Sequence, residues 1–212
     1  ILESLQQKNR DLEEGLAGAR ILLIATGGIS LYKSAYLVRL LTRRGAEVRV
    51  AMTEAATKFV TPLTFETLSQ NPVATDMFTQ RTAPGVLHVE LAGWADIVVV
   101  APATADFIAR AAHGLAPDLA GSVLSACRCP IIFAPAMNEG MWLNPATARN
   151  IEILREDGRI MISPEEGELA CGDSGRGRMA EPDFIAREVQ ARLSAKGPLN
   201  GLKVMVTAGR TE

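Results

Sequence analysis

The residues best suited to chemistry are few and fall at loop positions. Cys171 stands in GELACGDSGRGRM, among Gly167, Gly172, Gly175 and Gly177 and close to Arg176 and Arg178. A thiol so placed can serve redox chemistry, metal ligation or acid-base transfer, or simply border a phosphate loop; it can donate a proton only if it is neither oxidised nor metal-bound. PAMNEGMW, 135–142, sets Asn138 among Met137, Met141 and Trp142. An amide between apolar walls can hold a carboxylate without adding a competing negative charge. Such a pocket suits a substrate about to lose CO2, because desolvation raises a carboxylate relative to neutral CO2. The same methionines and tryptophan also suit a core beneath a loop. His88, in GVLHVELAGWAD, has the pKa range for acid-base work, although a lone histidine also serves structurally. His113 precedes Gly114 at the end of a helical pattern and reads as a partner for a helix C-terminus.

Those loops need elements to carry them. Apolar runs of strand length, RILLIAT (20–26), EVRVAMT (47–53), DIVVVAPA (96–103), CPIIFAPA (129–136) and RIMIS (159–163), alternate with helical patterns at 30–45, 104–114, 117–127, 144–158 and 182–197. This rhythm predicts an α/β fold with a doubly wound parallel sheet, Rossmann-like, in one main domain. Ligands of such sheets bind at the carboxyl ends of the strands, where TGGIS, MTEAA, APATA and APAMN follow the apolar runs directly. Gly27, Gly28, Ile29 and Ser30 lie between strand and helix, where free backbone N–H groups and the helix dipole favour a phosphate; a plain tight turn is the alternative. The stretch is neither G-x-G-x-x-G nor a Walker loop. Thr53 and Ala103-Thr104-Ala105 add hydroxyls and small side chains around the same crevice, and each threonine also suits a helix N-cap. A flat ring system with its phosphate on the first helix fits that slot. Flavin mononucleotide answers this description, as do other nucleotides.

Composition narrows the partners. The 212 residues carry a net charge of -2, with 48% hydrophobic and 5% aromatic residues. No bulk attraction to nucleic acid or to an anionic membrane is expected. The longest apolar runs are too short to cross a bilayer. Cys127, Cys129 and Cys171 form an odd set without a paired framework, which points to a reducing, cytoplasmic setting. With His88 and His113 they match no zinc spacing, so no metal is expected. Residues 1–19 read as a charged peripheral leader, and GLKVMVTAGRTE starts a new strand after the Gly197-Pro198 break.

Taken in order, TGGISLYK, AMTEAATKFVTPLTF, HVELAGWAD, APATAD, AHG, PAMNEGMW and GELACGDSGRGRM resemble the flavin-dependent cysteine decarboxylases. The similarity is greatest to the decarboxylase half of the bacterial bifunctional enzymes that join phosphopantothenoylcysteine decarboxylase to phosphopantothenate-cysteine ligase in coenzyme A synthesis. It runs from about Ala19 to Glu212, with Gly93 and the leader departing from the shared pattern.

The resemblance implies an FMN-binding domain over 20–197 and a truncated start of a ligase domain over 198–212, with decarboxylation expected and ligation not. It implies trimers, or dodecamers of trimers, with the flavin at a subunit interface. The expected reaction oxidises the cysteine end of 4'-phosphopantothenoylcysteine to a thioaldehyde, releases CO2, and re-reduces the enethiol to 4'-phosphopantetheine. By the same likeness His88, Asn138 and Cys171 are the catalytic residues. Gly27, Gly28, Ile29, Ser30, Thr53, Ala103, Thr104, Ala105 and Met137 hold FMN; Ala136, Met137, Asn138, Met141, Ala170, Cys171 and Gly172 contact substrate. The loop glycines become a flexible clamp. Other flavoproteins of this fold are the rival readings: a peptidyl-cysteine decarboxylase, a flavin prenyltransferase, or a non-catalytic regulatory subunit. A nicotinamide dehydrogenase is disfavoured by the missing dinucleotide fingerprint.

Overall fold

The computed structural model describes residues 15–78, 86–168 and 174–194. In chain order the sheet strands are β1 (Arg20–Ala25), β2 (Glu47–Met52), β3 (Val73–Ala74), β4 (Ile97–Ala103), β5 (Ile131–Pro135) and β6 (Ile160–Met161). They form one parallel sheet in the order β3-β2-β1-β4-β5-β6. β7 (Glu165–Glu168) and β8 (Ser174–Arg178) make a separate antiparallel pair. The helices are α1 (Leu31–Arg43), α2 (Glu54–Thr57), α3 (Pro62–Ser69), α4 (Leu87–Trp94), α5 (Ala105–Ala112), α6 (Leu119–Ala126), α7 (Glu139–Trp142), α8 (Pro145–Glu156) and α9 (Pro182–Ser194).

The strands are apolar on both faces because both faces are covered. Their period of two sends alternate side chains into two separate cores. Ile21, Leu23, Val48, Val50, Ile97 and Val99 pack with α1, Phe65 of α3 and α9. Leu22, Ile24, Val98, Val100 and Phe133 pack with α4, α5, α6 and α8. The doubly wound sheet expected from the apolar rhythm is therefore present.

Leu16, from the segment read as peripheral, is buried in the first core, and its N–H donates to the Arg44 carbonyl at 3.1 Å. The chain thus packs against the sheet before Arg20. Among the described residues no helix is long and apolar enough to cross a membrane.

The strand order reverses between β1 and β4: β2 and β3 lie to one side of β1, β5 and β6 to the other side of β4. At such a switch point the connections leave in opposite directions and open a crevice beyond the carboxyl ends. Thr26 ties its two walls together. Its hydroxyl donates to the Pro102 carbonyl at 2.6 Å and accepts the Thr104 N–H at 3.3 Å.

Candidate active site

A cleft of about 970 Å³ occupies this crevice, a size suited to a cofactor-scale ligand. Its floor is the turn from β1 into α1. The N–H groups of Gly27, Gly28, Ile29 and Ser30 donate to no backbone carbonyl among the described residues, and all four residues line the cleft. Such a row of open amides at the start of a thirteen-residue helix is matched to an anion. Gly27 is required by contact: a Cβ there would lie 2.9 Å from the Ala55 carbonyl carbon and closer still to the Ala55 methyl. The absent side chain brings the α1 turn against α2.

The side walls come from two strand ends. Thr53 accepts the Ala56 N–H and Thr104 the Phe107 N–H, each at 3.3 Å, so both are N-caps as well as lining residues. Ala105 follows on the same wall. Ala103, the last residue of β4 and also expected at the cofactor, is fully buried in the second core and is not among the residues lining the cleft. The strand's alternation turns that methyl inward, and Thr104, just past the strand, is what reaches the cleft.

The opposite wall carries Ala136, Met137, Asn138 and Met141. Asn138 N-caps α7, its Oδ1 accepting the Gly140 N–H at 2.8 Å, which fixes the amide plane. Trp142 is partly buried against the second core instead of facing the cleft.

Strand β8 closes this side. The Met137 N–H donates to the Gly177 carbonyl at 3.0 Å, and a Cβ at 177 would collide with the Met137 carbonyl oxygen. Glycine at 177 is required by contact, because strand and turn touch backbone to backbone. Arg178 and Met179 line the cleft, whereas Arg176 is exposed and pairs with Glu166 at 3.5 Å.

Sequence reasoning missed Lys33. It lies on the third position of α1, lines the cleft and is buried, with its Nζ donating to Glu181 at 2.6 Å and to the Met179 carbonyl at 3.2 Å. A buried lysine needs such partners. A polar residue breaking an apolar helical face was the available signal. Arg110 and Asp118 were missed as well. Burial disfavours the Arg110 charge, but the hydrogen bond and charge of Asp118, with Asp106, outweigh it and raise the guanidinium above its usual range. Their shortest contacts are 2.7 and 2.9 Å.

His88 stands half-buried at the start of α4 and is not among the residues lining this chain's own cleft. His113 caps the C-terminus of α5 and its Nε2 meets Asn150 Oδ1 at 3.1 Å, in line with a structural role. Ala170, Cys171 and Gly172 lie outside the described residues. Cys127 is buried; its hydrogen bond with Cys129, together with desolvation, holds the thiol far above its usual range. Among the described residues no group of three or more histidine, cysteine or acidic side chains could hold a metal.

The flavoprotein family profile matches residues 9–194. The coenzyme A biosynthesis bifunctional protein CoaBC of Bacillus subtilis (strain 168) is 43% identical over 198 residues, which is 92% of this chain and 49% of that protein. The chain therefore spans about half the length of the curated relatives it matches. A PPC decarboxylase variant solved with pantothenoylaminoethenethiol superposes with a TM-score of 0.76 at 35% identity, covering 82% of this chain and 97% of that one. The FMN-dependent cysteine decarboxylase SpaF gives 0.74 at 32% identity, covering 84% and 97%. With the family profile spanning most of its length, the chain belongs to the flavoprotein family.

Proposed function

We propose that this domain is an FMN-dependent phosphopantothenoylcysteine decarboxylase, converting 4'-phosphopantothenoylcysteine to 4'-phosphopantetheine in coenzyme A synthesis. The observation that carries the reading is the opposition, across one cleft, of the open Gly27–Ser30 amides and the Asn138 amide. The first suits the phosphate of FMN, and the small walls at Thr53, Thr104 and Ala105 suit its flat ring. Held at the Gly27–Ser30 turn, FMN would supply reversible hydride acceptance, the redox chemistry needed to form a thioaldehyde at the cysteine end and to reduce the decarboxylated product.

The protein's part is to bind, orient and move protons. Asn138 donates to the substrate carboxylate from its side-chain NH2, since its oxygen is engaged by Gly140. The apolar Met137 and Met141 strip water from that carboxylate and favour its loss as CO2. The electron pair of the broken C–C bond passes into the C=S group and leaves an enethiolate. Cys171 gives the proton that lets this species accept hydride. His88 serves as acid or base in the oxidative step. Because it is not in its own chain's cleft, His88 acts in the cleft of a neighbouring copy, which makes the active form a homo-oligomer with trimers as the expected unit. Ile29 and Tyr36 are 61% and 67% exposed beside the cleft and at α1, apolar area that a neighbouring copy would cover. The expected setting is the cytoplasm.

The test is to incubate the purified, yellow protein with phosphopantothenoylcysteine and assay CO2 and phosphopantetheine. Formation of both supports the reading. A colourless preparation that binds NAD, or flavin retention with turnover only of cysteine-terminated peptides, overturns it.

A further inference from the structure

We propose that Glu139 is a positioning residue: its carboxylate fastens β8 to the turn that carries Asn138 and thereby sets the amide that holds the substrate. The kinetic consequence rests on the decarboxylase reading; the anchor itself does not.

Glu139 is the first residue of α7, where an acidic side chain ordinarily serves the helix dipole or solvent. Here its Oε1 accepts the backbone N–H of Arg176 at 3.0 Å, from 37 positions along the chain. The neighbouring Gly175 lies so close that an added Cβ would sit 2.6 Å from the Glu139 carboxyl carbon. On the other side of Asn138, Met137 donates to the Gly177 carbonyl at 3.0 Å. Asn138 is therefore bracketed, with the residue before it held to β8 by backbone and the residue after it held by a side chain.

The two attachments differ in kind. The Met137 bond forms with any side chain there, whereas the Glu139 bond needs a side chain with an acceptor oxygen of the right reach. A bond from a neutral amide to a carboxylate is also stronger than one between neutral groups. The backbone amide of Arg176 belongs to a two-stranded hairpin, an arrangement of marginal stability alone. Without Glu139, one side of the Asn138 turn loses its link to β8. Displacement of a substrate-holding group by about 1 Å is enough to slow a reaction about 100-fold.

Glu139→Ala removes the acceptor, Glu139→Gln keeps an acceptor oxygen, and Gly175→Ala displaces the carboxylate from the strand side. The full chain with bound flavin is used, and flavin absorbance with circular dichroism reports folding of each variant. Glu139→Ala and Gly175→Ala are expected to lower kcat/KM for phosphopantothenoylcysteine about 10-fold to 100-fold with flavin affinity unchanged, and Glu139→Gln to restore most of it. The double variant Glu139→Ala/Gly175→Ala is expected to be no worse than the worse single, because both break one contact. Amide hydrogen exchange at Arg176 is expected to quicken in Glu139→Ala and not in Glu139→Gln. Unchanged Arg176 exchange in Glu139→Ala overturns the anchor. Equal loss of kcat/KM in Glu139→Ala and Glu139→Gln, or full additivity in the double variant, overturns the positioning role. If the wild-type chain releases no CO2, the decarboxylase reading fails while the exchange measurement still decides the anchor.

Discussion

On the sheet side of the cleft, Thr53 and Thr104 each accept an N–H from only three residues ahead, at 3.3 Å. On the hairpin side, Lys33 reaches Met179 and Glu181, Met137 reaches Gly177, and Glu139 reaches Arg176, each across a long stretch of chain. The first wall is preorganised by the ends of its own strands and helices. The second exists only when distant segments have met. A flavin needs the fixed geometry of the first wall. On the proposed reading, the substrate meets the second wall, whose geometry depends on a few contacts between segments far apart in sequence.

Breaking the second wall at its chemical centre should have the largest effect. Asn138→Ala is expected to lower CO2 release by about 100-fold or more while the flavin stays bound, measured by single-turnover CO2 assay and absorbance. Loss of flavin together with activity would mean that the two walls are one unit. Breaking the first wall should show the reverse. Gly27→Val forces a side chain against Ala55, so flavin retention should be lost, with destabilisation of about 1–3 kcal/mol in denaturant unfolding. Retained flavin in that variant would remove the α1 turn from the cofactor site.

Smaller effects sharpen the distinction. Thr104→Ala deletes one cap and should reduce stability by about 1 kcal/mol, with weaker flavin binding and little change in the decarboxylation step. Cys127, near the far end of the sheet, should affect neither wall. A thiol without these surroundings titrates near 9.0, and the folded state holds the Cys127 proton well above that. Below pH 9.0 both folded and unfolded chains keep this proton and its contribution to stability is fully present. Above it, the unfolded chain releases the proton first, so stability declines with rising pH. Cys127→Ala should flatten that alkaline decline, measured by unfolding at a series of pH values.

The same contrast governs what could be read from the residues alone. The run DIVVVAPA marked β4, because strands buried on both faces must be continuously apolar, and the structure places that strand at Ile97–Ala103. TGGIS and APATA marked the floor and one wall, since both follow strand ends directly. Helix α3 went unread although Pro62 at its first turn and Gln70, with a φ of 56°, at its end were visible punctuation. The β7–β8 pair had no strand signature, because its glycines are set by what they touch. Gly177 against Met137 and Gly175 against Glu139 read as loop flexibility until the fold brings those segments together. His88 was legible as a titratable side chain, but its absence from the cleft of its own chain follows only from where α4 sits.

The central claim, that the flavin cleft oxidises a cysteine end and Cys171 completes the reaction, is tested most directly by a single-turnover experiment. Cys171→Ser with bound FMN is mixed with phosphopantothenoylcysteine, and flavin absorbance, CO2 and products are followed together. The account predicts rapid flavin reduction, stoichiometric CO2 and accumulation of the enethiol with no phosphopantetheine. Normal phosphopantetheine formation by this variant, or CO2 release with the flavin oxidised throughout in both the variant and the wild type, would contradict it.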